Sequence, residues 1–433
     1  MFDRQKPDVL SEQVLELAKA AGADAAEVYQ ALTDTNPVFF DANRVKRIER
    51  SQTEAIALRL WRGGRPGLAV AHGPVDPQAL VERAAAISQM TLPEAVELAS
   101  PKPVSYSDVG HAVSIPTLTQ WGKEAIAHVR DCYPDVLCYA EWTCEAETTR
   151  LLNSKGLDYR YTDTTLSSYL SAERIRDGDF LNVSDGQTRR DLLSPTQLAG
   201  QILQRLHWAR DSAPTLQGRL PVLFTSKAAD MLWGTVQLAL DGRRVLERSS
   251  PWSDLVGEQV LSHHLTLSQQ PQAGPFSCPF DDEGMPTRQI TFIDRGELQL
   301  FYTDRTVGNR LGSGTTGNGF RPDLGSYPRP GMFNFLVEPG DRSLAALIKQ
   351  LDRGIVVDQM LGEDSSISGN FSINVDLGYR VENGQIIGRL KNTMVSGNVY
   401  RALKQVEVGD DAQWNGPCYT PSVVLGDLSV VSR

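Results

Sequence analysis

The sequence predicts an α+β protein: an N-terminal α/β domain of antiparallel strands with covering helices, then a mainly β, barrel-like C-terminal domain with a buried helix. Three observations carry this. From Glu27 to Ala71 polar and apolar residues alternate with the period of a half-buried strand, and helix-period segments flank that stretch. Beyond Leu255, short apolar strands alternate with glycine-rich connections. Between them, Leu220 to Gly242 (LPVLFTSKAADMLWGTVQLALDG) reads as a strand entering a helix that is apolar on every side, as a buried helix is.

In chain order, Ser11 is a candidate cap for a helix over Val14, Leu15, Leu17 and Ala18, which Gly22 ends. Strand patterns follow at Glu27 to Leu32, Pro37 to Phe40 and Val45 to Ser51. Glu54 to Trp61 and Arg65 to Ala71 are then joined at Gly63-Gly64, a hairpin signal. Asp76 opens a second helix through Leu80, Val81, Ala84 and Ile87. These elements make up a predicted domain over 1–92. The Pro-, Ser- and Ala-rich segment 93–116 reads as a linker. A middle α+β region, 117–218, holds a helix over Leu118 to Cys132, long strands over Val136 to Thr149 and Leu157 to Ile175, and a helix over Ser194 to Arg210. The C-terminal domain is expected over 219–433, with two-residue hairpin turns at Arg295-Gly296 and Asn383-Gly384.

In the buried helix, Thr225 or Ser226 is the candidate N-cap and Gly242 the candidate C′ stop. Gly234 costs about 1 kcal/mol relative to Ala in a helix interior. Its presence suits either close helix packing or the close approach of another backbone or a substrate.

The net charge of -10 and pI near 5.2 provide no general phosphate-neutralising surface, which argues against nucleic-acid binding. Arg44, Lys46, Arg47 and Arg50 cluster, but Val45 and Ile48 between them suit a solvated strand face. No run approaches the ~18 apolar residues of a membrane span, and MFDRQKPDVLSEQ lacks the apolar core of a signal peptide. Five cysteines, none spaced CxxC, indicate neither a disulfide framework nor a zinc ribbon, so a cytoplasmic protein is expected. Cys138 and Cys144 share strand parity and read as small buried hydrophobes. His263 and His264 are adjacent and on a strand would face opposite ways, while His72, His111, His128 and His207 are scattered. No G-x-S-x-G elbow is present.

Arg310 to Gly331 (RLGSGTTGNGFRPDLGSYPRPG) is too rich in Gly and Pro for a regular element and long for a structureless loop, a length that usually marks function or disorder. It overlaps the stretch Pro279 to Gly319, with an acidic-Gly turn at Asp282, Glu283 and Gly284, then Pro286-Thr287, a hairpin, and a Thr-Gly-Asn loop at Thr316, Gly317 and Asn318. That order resembles the signature region of the TldD/PmbA family. AAGADAAEVYQA and NRVKRIERSQTEAIALRLWRGGRPGLA near the start, and GPCYTPSVVLGDLSVV with Cys418 near the end, are similar to the family's opening and closing segments.

The resemblance implies a peptidase fold whose active members carry a zinc-binding HExxxH on the buried helix, completed by a cysteine near the C-terminus. A zinc ion with three protein ligands and one open position lowers the pKa of bound water to about 7, and a nearby Glu acts as base. In this chain the aligned helix positions are near Gly234, Thr235 and Ala239, and none offers an imidazole. The resemblance therefore implies a member without a metal or catalytic residues of its own, the non-catalytic subunit of a cytoplasmic zinc metalloprotease that processes unfolded peptides. A TldD-like partner would supply the zinc in a heterodimer, with a homodimer as the other arrangement. Gly234, Thr235, Gly314, Thr316, Gly317 and Asn318 are the candidate peptide-groove residues, since absent side chains allow close backbone approach. For the loop Gly312 to Gly319 a solvated connection at a barrel rim is the competing role. Two other functions stand beside this one: an independent metal-dependent peptidase using His264 or Cys418, and a non-enzymatic dimer that binds peptides or regulates another protein.

Overall fold

The period-two alternation becomes an antiparallel sheet of seven strands, a half-barrel. The structure is a computed structural model and describes residues 6–100, 106–176, 178–276, 278–362 and 366–432; residues 101–105 of the expected linker lie outside them. In chain order the elements are α1 (Lys6–Ala20), β1 (Ala25–Asp41), β2 (Arg44–Ile48), β3 (Ser51–Arg62), β4 (Arg65–His72), α2 (Pro77–Ser88), α3 (Ile115–Cys132), β5 (Leu137–Asn153), β6 (Asp158–Arg176), β7 (Asp179–Arg189), α4 (Pro195–Trp208), β8 (Gly218–Phe224) and α5 (Asp230–Leu240). The sheet order is β4-β3-β1-β5-β6-β7, with β2 folded back on β1. β1 pairs with β5 from Glu27↔Asn153 to Phe40↔Ala140, so strands from both sides of segment 93–116 share one sheet.

Side chains at even positions of β1 and β5 face the helices. Near one end Ala26, Val28 and Leu152 pack with α1 and α2 through Val14, Ala18, Leu80 and Ala84. Toward the other, Val38, Phe40, Cys138, Trp142 and Cys144 pack under α3 and α4. Each fully buried large side chain contributes roughly 1.5–3 kcal/mol. Asp76, Ser114 and Ser194 cap α2, α3 and α4 as side-chain acceptors for Gln78, Thr117 and Gln197 N–H. Ser11 does not cap α1. The helix starts a turn earlier, and the buried Ser11 hydroxyl instead accepts from Arg150 Nη1 at 3.1 Å.

In the C-terminal half, β8 pairs in parallel with Arg353–Leu361, which pairs with Asn370–Glu382, then Thr393–Asn398, then Val423–Ser432 and back to β8, closing a five-stranded barrel. Alternate residues serve two cores. Val222, Phe224, Ile355, Val357, Val423 and Leu425 share one with α5, while Leu223, Val356, Tyr379 and Val381 join the core under α3 and α4. A second sheet contains Phe335–Val337 paired in parallel with Cys418–Thr420, whose other neighbour, Gln413–Asn415, is an edge. No helix among the described residues is long and apolar enough to cross a membrane.

Candidate functional site

α5 is buried on nearly every side: Met231, Leu232, Trp233, Thr235, Val236, Ala239 and Leu240 are all below a tenth exposed. Its start differs from expectation. Residues 226–229 form a turn in which Ala228 and Ala229 N–H bond the Thr225 carbonyl, and the helix begins at Asp230 without a side-chain cap. Gly242 is not a left-handed stop either. Asp241 ends α5 in an extended conformation and caps a short helix, Gly242–Leu246, and a Cβ on Gly242 would stand 2.8 Å from the Tyr302 carbonyl oxygen. The glycine is needed for that close approach.

The indole of Trp233 donates to Thr420 Oγ1 at 2.7 Å, which fastens α5 to the strand carrying Cys418. Helix and cysteine strand are thus brought together, but the groups between them do not suit a zinc ion. Gly234 and Ala239 offer no donor atom, and the Thr235 hydroxyl donates to the Ser366 carbonyl at 3.4 Å. Burial, with Asp230 adding to it, pushes the Cys418 thiol well up, away from the thiolate that metals bind. Among the described residues no three His, Cys, Asp or Glu side chains converge as metal ligands. His263 and His264 sit on a turn closed by Leu265 N–H to Ser262 O, not on a strand, so their exposed rings lie side by side with centroids 3.9 Å apart.

The Thr-Gly-Asn loop is held by its own side chains. Thr316 Oγ1 accepts from Thr303 N at 2.7 Å and donates to Asn318 Oδ1 at 2.8 Å, while Thr303 Oγ1 donates to the Gly314 carbonyl. Asn318, fully buried, donates to Gln269 Oε1 at 2.5 Å and to the Gly331 carbonyl at 2.8 Å. Gly317 has φ of 76°, and a Cβ there would meet the Pro286 carbonyl at 2.5 Å. The acidic turn ties this loop down. Asp281 accepts from Glu283, Met285 and Gly319 N–H, Asp282 from Arg321 N–H at 2.6 Å, and Glu283 from Arg305 N–H at 2.9 Å. Arg321 reaches on to Glu27 of β1 at 3.0 Å, linking the loop to the half-barrel. Burial pushes Asp282 up to about 6 and Glu283 up to about 7. Thr316 and Asn318 therefore have partners inside the fold, and Tyr302, next to Thr303, joins the loop to the end of α5 through its N–H on the Leu240 carbonyl.

A cavity of about 710 Å³ lies between β7, α4, the residues entering α5 and segment 411–419. Several of its charged groups are engaged within the fold. Arg205 Nε is shared between both Asp358 oxygens at 2.8 and 2.9 Å and its Nη1 donates to Asp185 at 2.7 Å, Arg190 pairs with Asp163, and Asp411 accepts from Ser422 N–H and hydroxyl. Sequence reasoning missed this site. The only signal was Gln197, Gln201 and Gln204 on one stripe of a helix, which reads as a solvated face.

Comparison with known proteins agrees with this architecture. Residues 217–432 match a model described as the PmbA/TldA metallopeptidase C-terminal domain, and 26–88 one described as PmbA/TldA metallopeptidase domain 1. Metalloprotease PmbA of Escherichia coli O157:H7 is 24% identical, the alignment covering 98% of this chain and 96% of that protein. A zinc metalloprotease TldD homolog of Saccharolobus solfataricus is 34% identical across 35% of this chain and 34% of its own. The crystal structure of TldE from Thermococcus kodakarensis superposes with a TM-score of 0.90 at 22% identity, covering 98% of this chain and all of that one. With both terminal domains matched and the fold shared along nearly its whole length, the chain belongs to the PmbA/TldD metallopeptidase family.

Proposed function

We propose that this chain is the non-catalytic subunit of a TldD-type zinc metalloprotease that processes extended or unfolded peptides. The observation that carries this is the pairing of α5 with the Cys418 strand at a place that offers no zinc-binding set, with Gly234, Thr235 and Ala239 on the helix and a buried, protonated thiol opposite. A TldD-like partner then supplies the metal and its activated water, and this chain supplies the facing wall of the groove. Gly234 and Thr235 on α5, with Gly314, Thr316, Gly317 and Asn318 on the tethered loop, shape that wall mainly through backbone, since the threonine and asparagine side chains are engaged within the fold. A reducing cytoplasm is part of the proposal, supported by the five free cysteines.

The test is co-expression with a TldD-like protein, copurification and a casein or peptide cleavage assay, with metal content measured on each chain alone. Stoichiometric zinc in the partner and cleavage that rises on adding this chain are the expected results. An unchanged cleavage rate refutes the subunit role. About one zinc per isolated copy of this chain points instead to an independent peptidase, and peptide binding without stimulation of any partner points to a regulatory dimer.

A further inference from the structure

The chain as a whole is acidic, with a net charge of -10, yet the surface around the Gly312 to Gly319 loop is not. Four segments bring arginines to it. Arg310 stands in the last turn of the helix Arg305–Leu311, which runs straight into the loop. Arg288 donates from Nη2 to the Thr315 carbonyl at 2.8 Å. Arg329 is paired in register with Phe320, the residue that follows the loop. Arg244 lies on the short helix Gly242–Leu246, which packs against Arg305–Leu311. Arg244 and Arg329 both lie near enough to the Tyr302 hydroxyl to favour its ionised form, although burial outweighs them there.

These charges are not neutralised by their neighbours. Arg243 and Arg305 pair with Glu247 and Glu97, whereas Arg244, Arg288, Arg310 and Arg329 form no ion pair among the described residues. The two carboxylates that face them are occupied. Asp241 accepts from Arg243 N–H at 2.8 Å and Asp304 from Val307 N–H at 2.6 Å, and burial pushes both toward the neutral form. Arg288, Arg310 and Arg329 are exposed, and the space beside the loop is open, since a Cβ added to Gly312 or Gly314 would meet nothing within 4 Å. Like charges held around an open space set up a local positive potential, and a guanidinium can bind a carboxylate through two N–H groups at once. A long polyanion would run from this rim onto a surface of its own sign, while a short acidic segment ends within it.

We propose that Arg244, Arg288, Arg310 and Arg329 form a carboxylate-recognition subsite, which selects substrates carrying acidic side chains beside the segment seated at the loop. The subsite rests on the reading that this loop walls the groove, and it adds a charge preference that the shared fold does not contain.

The test is fluorescence anisotropy of the full-length chain alone with dansyl-Ala-Glu-Ala-Glu-Ala-amide, beside the same peptide with Gln for Glu, and with tripolyphosphate as competitor, at low and high salt. The Glu peptide should bind about tenfold more tightly than the Gln peptide, a gap that narrows as salt screens the charges. Arg310→Gln and Arg329→Gln alter exposed side chains and should each weaken the Glu peptide about two- to fivefold, the double variant about tenfold, with the Gln peptide unmoved. Arg210→Gln, on the exposed surface just past α4, should change neither. Thermal melting of each variant separates lost binding from lost folding. Absence of binding, equal binding of the two peptides, or unchanged affinity in the double variant overturns the proposal. Tripolyphosphate bound more tightly than the Glu peptide also overturns it and makes the rim a phosphate site. Loss of a TldD-like partner from the double variant without any Glu preference overturns it in favour of a docking face. A chain that prefers the Glu peptide but stimulates no protease keeps the subsite and removes the subunit role; stimulation with equal cleavage of both peptides does the reverse.

Discussion

Replacing Arg205 by methionine tests what joins the half-barrel to the barrel. Arg205 is 7% exposed, and its guanidinium pairs with Asp185 of β7, 4% exposed, and Asp358 of the strand Arg353–Leu361, 1% exposed. Burial works against its charge, but the two carboxylates outweigh that and push the group further toward its protonated form. With an effective dielectric near 20, each pair at such distances attracts by about 4 kcal/mol before desolvation is charged against it. Arg205→Met removes the attraction and leaves two buried carboxylates with Lys227 as the remaining nearby cation, for which a loss of about 3–5 kcal/mol is expected. The triple variant R205M/D185N/D358N removes both carboxylates as well, leaving of the charged set only the partly buried Lys227 that they support, and should recover part of that loss. Urea unfolding followed by tryptophan fluorescence, with midpoint and slope both recorded, separates a stability change from a change in the unfolding transition. If Arg205→Met stays within about 1 kcal/mol of the parent, or the triple variant is no better than the single, the network does not hold the domains together as argued.

Other outcomes follow from the same contacts. Asp282 and Glu283 bind protons more tightly folded than unfolded, so their stabilising contribution is full below about pH 4 and lost as pH rises through about 6 and about 7. Asp282→Asn should flatten the stability profile over that window by roughly 2–3 kcal/mol, and parallel profiles for variant and parent would reject the assignment. Gly317→Ala forces a Cβ to 2.5 Å from the Pro286 carbonyl at a positive φ, and should cost about 2–4 kcal/mol by thermal melting; a neutral substitution would show the loop to be slack. Of the five cysteines only Cys132 is exposed, so a thiol reagent should titrate one group in the native chain and five in denaturant. Rapid modification of Cys418 would contradict its burial against α5.

Much of this fold was legible because local chemistry wrote it. Asp76, Ser114 and Ser194 cap the helices they precede, and Arg295-Gly296 and Asn383-Gly384 adopt positive φ at both turn positions, at 46° and 82° and at 49° and 73°. The buried character of α5 and the barrel-like C-terminal half were legible from apolar patterning. What was not legible depends on distant partners. β1 reads as two short strands because Thr33 to Asn36 is polar, yet pairing with β5 on one side and β3 on the other carries it through unbroken. The side chains of Thr316 and Asn318 looked available to a ligand because nothing local shows that Thr303 and Gln269 would take them. Gln187, Gln201 and Thr225 line one cavity only through tertiary structure, and each alone reads as a polar surface residue or a cap.

Barrel closure has a consequence for how the chain is made. Val423–Ser432 lies between β8 and Thr393–Asn398, so the last of the five barrel strands in chain order fills a place between two earlier ones. Until it has left the ribosome, β8 and Thr393–Asn398 each present an unpaired edge, and α5 lacks part of its apolar enclosure. The N-terminal half-barrel has all its strands long before that moment, so chain order allows a stage with one half folded and the other open. That stage, more than the finished molecule, is where chaperone dependence, proteolysis and aggregation through exposed strand edges would act.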